Sequence, residues 1–409
     1  MPPPERLIGV VGKANVGKSS FFAAATLAPV EIGDRPFVTL SPNTGVAYLR
    51  KKCVHVELGL RKCEPSTGAC INGWRFIPVK LVDVPGLIPG AHQGRGLGNK
   101  FLDSLRQADA LILVVDAAGA TDSDGNPVPP GTFNPIDEVK SMLNEIDMWV
   151  YGILLKDWDR FARRVESQGE NIVDALTRRL SGLSIRRRHV EEALKASGLE
   201  DKPLTKWSRN DILSFARGIR RAKPLIIAAN KADLREAEKG IEKLRENFKN
   251  TYKVIPTSAI AELALRKAAA QGLIEYLPGD NDFRIREPSK LSPKQMRALE
   301  YIRRNVLERW GSTGVQEVLN KLVFEEMKMI VVYPVEDHNK FTDSRGRILP
   351  DAYLVEEGTT ARELAYMIHT DLGKTFLYAI NAKTKARIGE DYVLKDNDVI
   401  KIVATAARR

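Results

Sequence analysis

GKANVGKS, residues 12–19, follows the apolar run LIGVV (7–11) and leads into KSSFFAAATLA (18–28). The spacing is G-x-x-x-x-G-K-[ST], set between a strand-like and a helix-like segment, as a phosphate-binding loop requires. Gly12, Asn15, Val16, Gly17, Lys18, Ser19 and Ser20 are the expected nucleotide-binding residues of such a loop. Backbone N–H groups wrap the phosphates, the Lys18 ammonium neutralises their outer oxygens, and the Ser19 hydroxyl binds Mg²⁺.

The same kind of apolar run recurs at VKLVD (79–83), ALILVVD (110–116), PLIIAAN (224–230) and YKVIPTS (252–258). These runs are rich in Val and Ile and do not alternate, as strands buried on both faces of a parallel sheet read. Helical stretches such as 18–28 and 98–108 separate them, which predicts a doubly wound α/β domain. After the Gly/Pro/Asp-rich stretch 117–135 the period turns helical from 136 to 219, interrupting that domain. A further helical stretch covers 291–311. From about Glu326 the pattern changes to short β-runs (MIVVYPV, FLYAINA, YVLKDN, VIKIVAT) around the helix 359–369, where Thr360 and Glu363 fit a capping box. The predicted architecture is α/β: a phosphate-loop (P-loop) domain whose first part covers 1–135, a helical insertion over 136–222, the second part of that domain over 223–325, and a small α+β domain over 326–409.

Length alone predicts two or three domains. A charged fraction of 28% and a hydrophobic fraction of 43% suit a soluble globular chain. No run approaches transmembrane length, and the start lacks a signal-peptide pattern, so a cytoplasmic protein with no membrane partner is expected. The net charge is +11. Between Arg160 and Lys223 there are 16 Lys or Arg against 8 Asp or Glu, an excess of +8. Such a segment suits a polyanionic partner, nucleic acid first, or else a solvated helical face.

Three further motifs close predicted strands. DVPG (83–86) places Asp83 where it can hold the Mg²⁺ water shell and the Gly86 N–H where it can approach a γ-phosphate. NKAD (230–233) places Asp233 to accept two hydrogen bonds from the N1–H and amino edge of guanine, a donor pair that adenine lacks. Asn230 would tie this loop to the phosphate loop, and the Lys231 stem would lie over the purine. TSA (257–259), with Ser258 and Ala259, would offer a backbone N–H to the guanine O6. The Mg²⁺-closing threonine is assigned to Thr39 in PFVTLSPNTGV (36–46), with Ser41 and Thr44 as competitors.

In this order the motifs resemble the G-domain of the translation-factor-related GTPases. The stretches GKANVGKSS, PFVTLSPNTGV and DVPGLIPGAHQGRGLGNKFLDSLRQADALILVVDA look like Obg-type GTPases. The insertion and the tail look like the YchF subfamily within them, and the tail is similar to a TGS domain, a β-grasp module. The resemblance implies nucleotide hydrolysis, Mg²⁺ and association with ribosomes or ribosomal RNA. It implies a switch that binds GTP and GDP and acts in translation or a ribosome-linked stress response. Many YchF members have lost the guanine-reading motif and prefer ATP. This chain keeps NKAD, so GTP is expected, with ATP secondary.

Leu87 stands where many GTPases place a water-orienting Gln, so intrinsic hydrolysis is expected to be slow. His92 is a weak substitute; Thr39 and Gly86 complete the catalytic candidates. Asn15 matches a position that in related GTPases ligates K⁺. Cys53, His55, Cys63 and Cys70 give four soft ligands within eighteen residues, a set that suits a closed Zn²⁺ site. The alternative is three buried or free thiols in a hairpin. The functional alternatives are an ATP or GTP hydrolase without switching, and a nucleotide-independent RNA-binding protein. A monomer is expected.

Overall fold

The five apolar runs become the parallel spine of one seven-stranded sheet. The structure, a computed structural model, describes residues 6–27, 43–84 and 106–405. Strands β1 (Leu7–Val11), β2 (Thr44–Lys52), β3 (Ala69–Ile71), β4 (Trp74–Asp83), β5 (Ala110–Asp116), β6 (Leu225–Asn230) and β7 (Val254–Pro256) form the order β2-β4-β1-β5-β6-β7, with β3 also on β4. β4, β1, β5, β6 and β7 run parallel, whereas β2 and β3 pair antiparallel with β4. Side chains alternate across the sheet. Ile112, Val114, Ile226 and Ala228 enter one core, and Leu111, Leu113, Leu225 and Ile227 enter the other. Both faces are therefore apolar, which is why the sequence shows runs rather than alternation.

Five helices fill the insertion: Pro135–Leu155, Trp158–Ser167, Ile172–Arg179, Arg187–Ser197 and Arg209–Ala222. They enclose a core of their own. In it Trp207 stacks on Trp158 at 5.4 Å and meets Phe215 edge-on at 5.3 Å. A small hairpin, β8 (Ile274–Glu275) with β9 (Arg284–Ile285), precedes the helix Pro293–Ile302.

The C-terminal sheet comprises β10 (Met329–Pro334), β11 (Tyr353–Glu356), β12 (Phe376–Asn381), β13 (Arg387–Ile388) and β14 (Val399–Ala404), in the order β11-β10-β14-β12-β13. The helix Ala361–Ile368 starts at the expected capping box, with Thr360 and Glu363 bonded reciprocally. Residues 392–397, read as a β-run, form no strand. Their apolar Leu394 is buried, but Asp398 accepts the Lys395 N–H and Asn397 has φ +64°, so the segment turns. The short strands β11 and β13 carry too little pattern to be seen in the sequence. His369 caps the short helix Thr370–Lys374.

The arginine-rich stretch 178–190 is a partly solvated face whose arginines also make ion pairs. Arg186, Arg188 and Arg6 converge on Glu356 of β11, and Arg187 pairs with Asp174 and Glu191. Arg186 and Arg188 thus link the insertion to the C-terminal sheet, while Arg187 pairs within the insertion; all three side chains stay about half exposed. Burial favours the neutral form of Glu356, but Arg186, then Arg6 and Arg188, outweigh it and hold the carboxyl below its ordinary 4.5. The unfolded chain thus binds this proton more readily. The stabilisation is full above pH ~4.5 and is lost as pH falls through the lower folded value. Glu356→Gln is expected to lower stability by about 1–3 kcal/mol at neutral pH and to flatten the acid limb of the melting curve. Calorimetry across pH 3–8 that shows the same acid limb for both proteins refutes this.

Candidate nucleotide-binding site

β1 delivers the chain to the loop 12–17, and the helix Lys18–Thr26 leaves it. Gly12 and Gly17 have φ +153° and +99°. A Cβ at Gly12 would strike the Val114 carbonyl oxygen, and one at Gly17 would strike Asn230 Nδ2. Both positions therefore need glycine. Lys18 is buried, and its Nζ donates to the Lys13 carbonyl at 2.6 Å. Burial lowers its pKa, against the pull of Asp83 and Glu138.

Ser19 Oγ donates to Asp83 Oδ2 at 3.2 Å across the β1–β4 junction. Asp83 Oδ1 is buried and has no hydrogen-bond partner among the described residues. Burial pushes the Asp83 carboxyl up, with Ser19 and Lys18 opposing. An orphaned carboxylate oxygen beside a hydroxyl and a lysine fits a hard divalent cation with its waters. Mg²⁺ there would supply charge neutralisation for phosphate oxygens.

At the end of β6, Asn230 Nδ2 donates to the Val16 carbonyl at 2.7 Å, and Asn230 Oδ1 accepts from the Ala259 N–H at 3.0 Å. One carboxamide thus joins the phosphate loop to the TSA loop. Lys231 sits at φ +63° and pairs with Asp116 at 2.8 Å. Ser258 Oγ donates to Asp233 Oδ1 at 2.7 Å, and Tyr301 Oη donates to the Asp233 carbonyl. The expected O6 donors are both engaged: the Ser258 N–H meets the Thr313 carbonyl and the Ala259 N–H meets Asn230.

Sequence reasoning missed a buried charged network behind the loop. Lys13 Nζ pairs with Glu138 at 2.7 Å, donates to the Thr121 carbonyl at 2.9 Å and lies over the Phe133 ring. Glu138 Oε1 accepts the Asp116 N–H. Asp116 also accepts from Ala118 and Ala120 N–H and from Thr121 Oγ1. Lys13 occupies a free position of the motif and Glu138 lies in the insertion, so no local pattern links them. Tyr301 lies farther still along the chain.

Thr39, Ser41, Gly86, Leu87 and His92 lie outside the described residues. Thr44 opens β2 opposite Val82. Asn15 Nδ2 donates to the Gly125 carbonyl at 3.0 Å, and nothing among the described residues supports a K⁺ site there. Val16 is buried beneath the loop, and Ser20, in the first turn of the following helix, is half-buried beside the exposed Ser19. Cys53, His55, Cys63 and Cys70 do come together, their ligand atoms all within 4.8 Å of one another. No helix among the described residues is long and apolar enough to cross a membrane.

The chain is 54% identical over 401 residues to an uncharacterized GTP-binding protein of Methanocaldococcus jannaschii, covering 98% of this chain and 99% of the relative. The chain is a YchF-like GTPase of the Obg family. Three family profiles match this Obg-family GTPase: a 50S ribosome-binding GTPase over 7–151, the G4 motif-containing domain of YGR210-like Obg-like GTPases over 228–337, and a TGS domain over 346–404. A ribosome-binding ATPase YchF of Haemophilus influenzae is 26% identical, over 96% of this chain and 97% of the relative. The crystal structure of a GTP-binding protein from Pyrococcus horikoshii superposes with a TM-score of 0.78 at 44% identity, covering 97% of this chain and 99% of that one. Membership in this family implies Mg²⁺-dependent nucleotide chemistry at the loop described above.

Proposed function

We propose that this GTPase is a guanine-nucleotide switch that docks on the ribosome in its GTP form. The observation that carries the guanine assignment is the Asp233 carboxylate, held by Ser258 Oγ at the loop that Asn230 ties to the phosphate loop. A carboxylate in that place offers two acceptors to the guanine edge and none that adenine can satisfy. Gly12, Asn15, Val16, Gly17, Lys18, Ser19 and Ser20 hold the phosphates in this reading; Ser19, Asp83 and Thr39 hold Mg²⁺; Gly86 senses the γ-phosphate. Loss of the γ-phosphate releases the segments that carry Thr39 and Gly86. Leu87 cannot orient water, so turnover by the chain alone is slow.

Ribosome docking draws on the names of the relatives and on the basic insertion, of which Arg160, Arg163 and Arg209 line an open groove beside Trp158 and Trp207. Cosedimentation with ribosomes tests the switch. The non-hydrolysable GTP form is expected to bind ~5–150-fold tighter than the GDP form. Binding should weaken with rising salt. Equal binding in both forms leaves a hydrolase without a switch; binding that ignores nucleotide and follows RNA alone leaves an RNA-binding protein.

A further inference from the structure

We propose that Cys53, His55, Cys63 and Cys70 hold one structural Zn²⁺ that fastens the β2–β4 hairpin to the C-terminal module. Cys53 follows β2 and precedes the one-turn helix Val54–Glu57 that carries His55; Cys63 lies in the next loop, and Cys70 lies in β3. Cys53 Sγ and Cys63 Sγ stand 3.6 Å apart, as do Cys70 Sγ and His55 Nδ1. A disulfide needs about 2.05 Å between sulfurs. A tetrahedral Zn²⁺ with bonds of about 2.3 Å to sulfur and 2.0–2.1 Å to nitrogen sets its ligand atoms about 3.6–3.8 Å apart. These two pairs match the second spacing, and all four ligand atoms lie within 4.8 Å of one another. Cys53 and His55 are buried, so the site is closed to substrate, as structural zinc sites are.

Charge supplies a second and independent argument. Arg75 is fully buried, yet no carboxylate among the described residues lies within ion-pair distance of it. Its Nη1 lies 3.7 Å from Cys63 Sγ, and its guanidinium donates to the Leu349 and Pro350 carbonyls at 3.0 and 2.7 Å. A buried guanidinium without an anion is costly. Three thiolates around Zn²⁺ carry a net charge of −1, which the Arg75 charge balances. The arginine then acts as the outer partner that orients a ligand sulfur.

The ligand loop also docks on the C-terminal module. The Glu64 and Ser66 N–H groups donate to the Ile348 and Pro350 carbonyls, both at 2.8 Å. Thr44 is paired beside the phosphate side of β4, and Lys52 is paired at its other end, opposite Trp74. Eight residue steps of strand, about 25–30 Å, therefore separate the cluster from the nucleotide. The ion is a clamp, not a participant in hydrolysis.

Protein grown with zinc and purified under reducing conditions should carry ~1 Zn²⁺ per chain by elemental analysis. X-ray absorption should show three sulfurs at about 2.3 Å and one nitrogen at about 2.0 Å. Cys70→Ser should lose most of the metal. Arg75→Met should weaken zinc ~10–100-fold in chelator competition. Chelation should expose the loop 53–70 to protease while nucleotide affinity stays unchanged. Wild-type protein with three freely titrating thiols and no stoichiometric metal overturns the proposal, as does a Cys53–Cys63 disulfide or stoichiometric iron in place of zinc.

Discussion

Asp233→Asn is expected to weaken GTP binding by roughly 10²–10³-fold, the worth of two hydrogen bonds to a charged acceptor. It is expected to raise affinity for XTP, because xanthine carries an oxygen where guanine carries the amino group and the new amide can donate to it. The geometry makes the swap clean. Ser258 Oγ donates to Asp233 Oδ1, which the oxygen of an Asn accepts equally well, so the side chain keeps its place and only the other end changes. ATP affinity should stay low in both proteins. Fluorescent-GDP competition with GTP, XTP and ATP reads all three. If wild-type protein binds ATP as tightly as GTP, Asp233 does not read the base. If Asp233→Asn leaves GTP affinity unchanged, the carboxylate faces elsewhere.

Glu138→Ala is expected to destabilise the protein by about 3–5 kcal/mol, because it strands a buried ammonium. Lys13 would keep only the Thr121 carbonyl and the Phe133 ring. Burial pushes the Glu138 carboxyl up to about 7, with Lys13 pulling the other way, so this pair sits in a strongly desolvated place. The melting temperature should fall on the order of 10 °C. Nucleotide affinity should fall as well, because the Lys13 carbonyl holds Lys18 Nζ. The double variant Lys13→Met/Glu138→Leu removes both charges and should recover most of the stability. A double variant no more stable than Glu138→Ala would show that the pair is not what holds this layer. Thermal denaturation with and without GDP distinguishes the two effects.

Residue order alone reveals the spine of the sheet and the phosphate loop. Doubly buried strands read as apolar runs, and a phosphate loop allows few residues at Gly12, Gly17, Lys18 and Ser19, because backbone angles and charge both constrain them. NKAD was legible as a motif at a strand's end; TSA was legible in position only, because the N–H groups expected to meet the base are taken by the Thr313 carbonyl and Asn230. The capping box at Thr360 is local, and so was visible too.

Contacts that join distant segments depend on how whole elements pack. The Lys13–Glu138 pair spans the phosphate loop and the insertion, and Glu356 gathers arginines from two other parts of the chain. Arg75 looks like one more surface charge in the sequence, yet it is fully buried against 349–350. Cys53 to Cys70 could be counted but not placed, because their spacing fits no tight ligand knuckle; only the fold of the loop against β4 brings them within reach of one ion. Local sequence fixes backbone preference and short-range hydrogen bonding. Charge pairing in the interior depends on which surfaces meet, and that is settled by packing of whole elements.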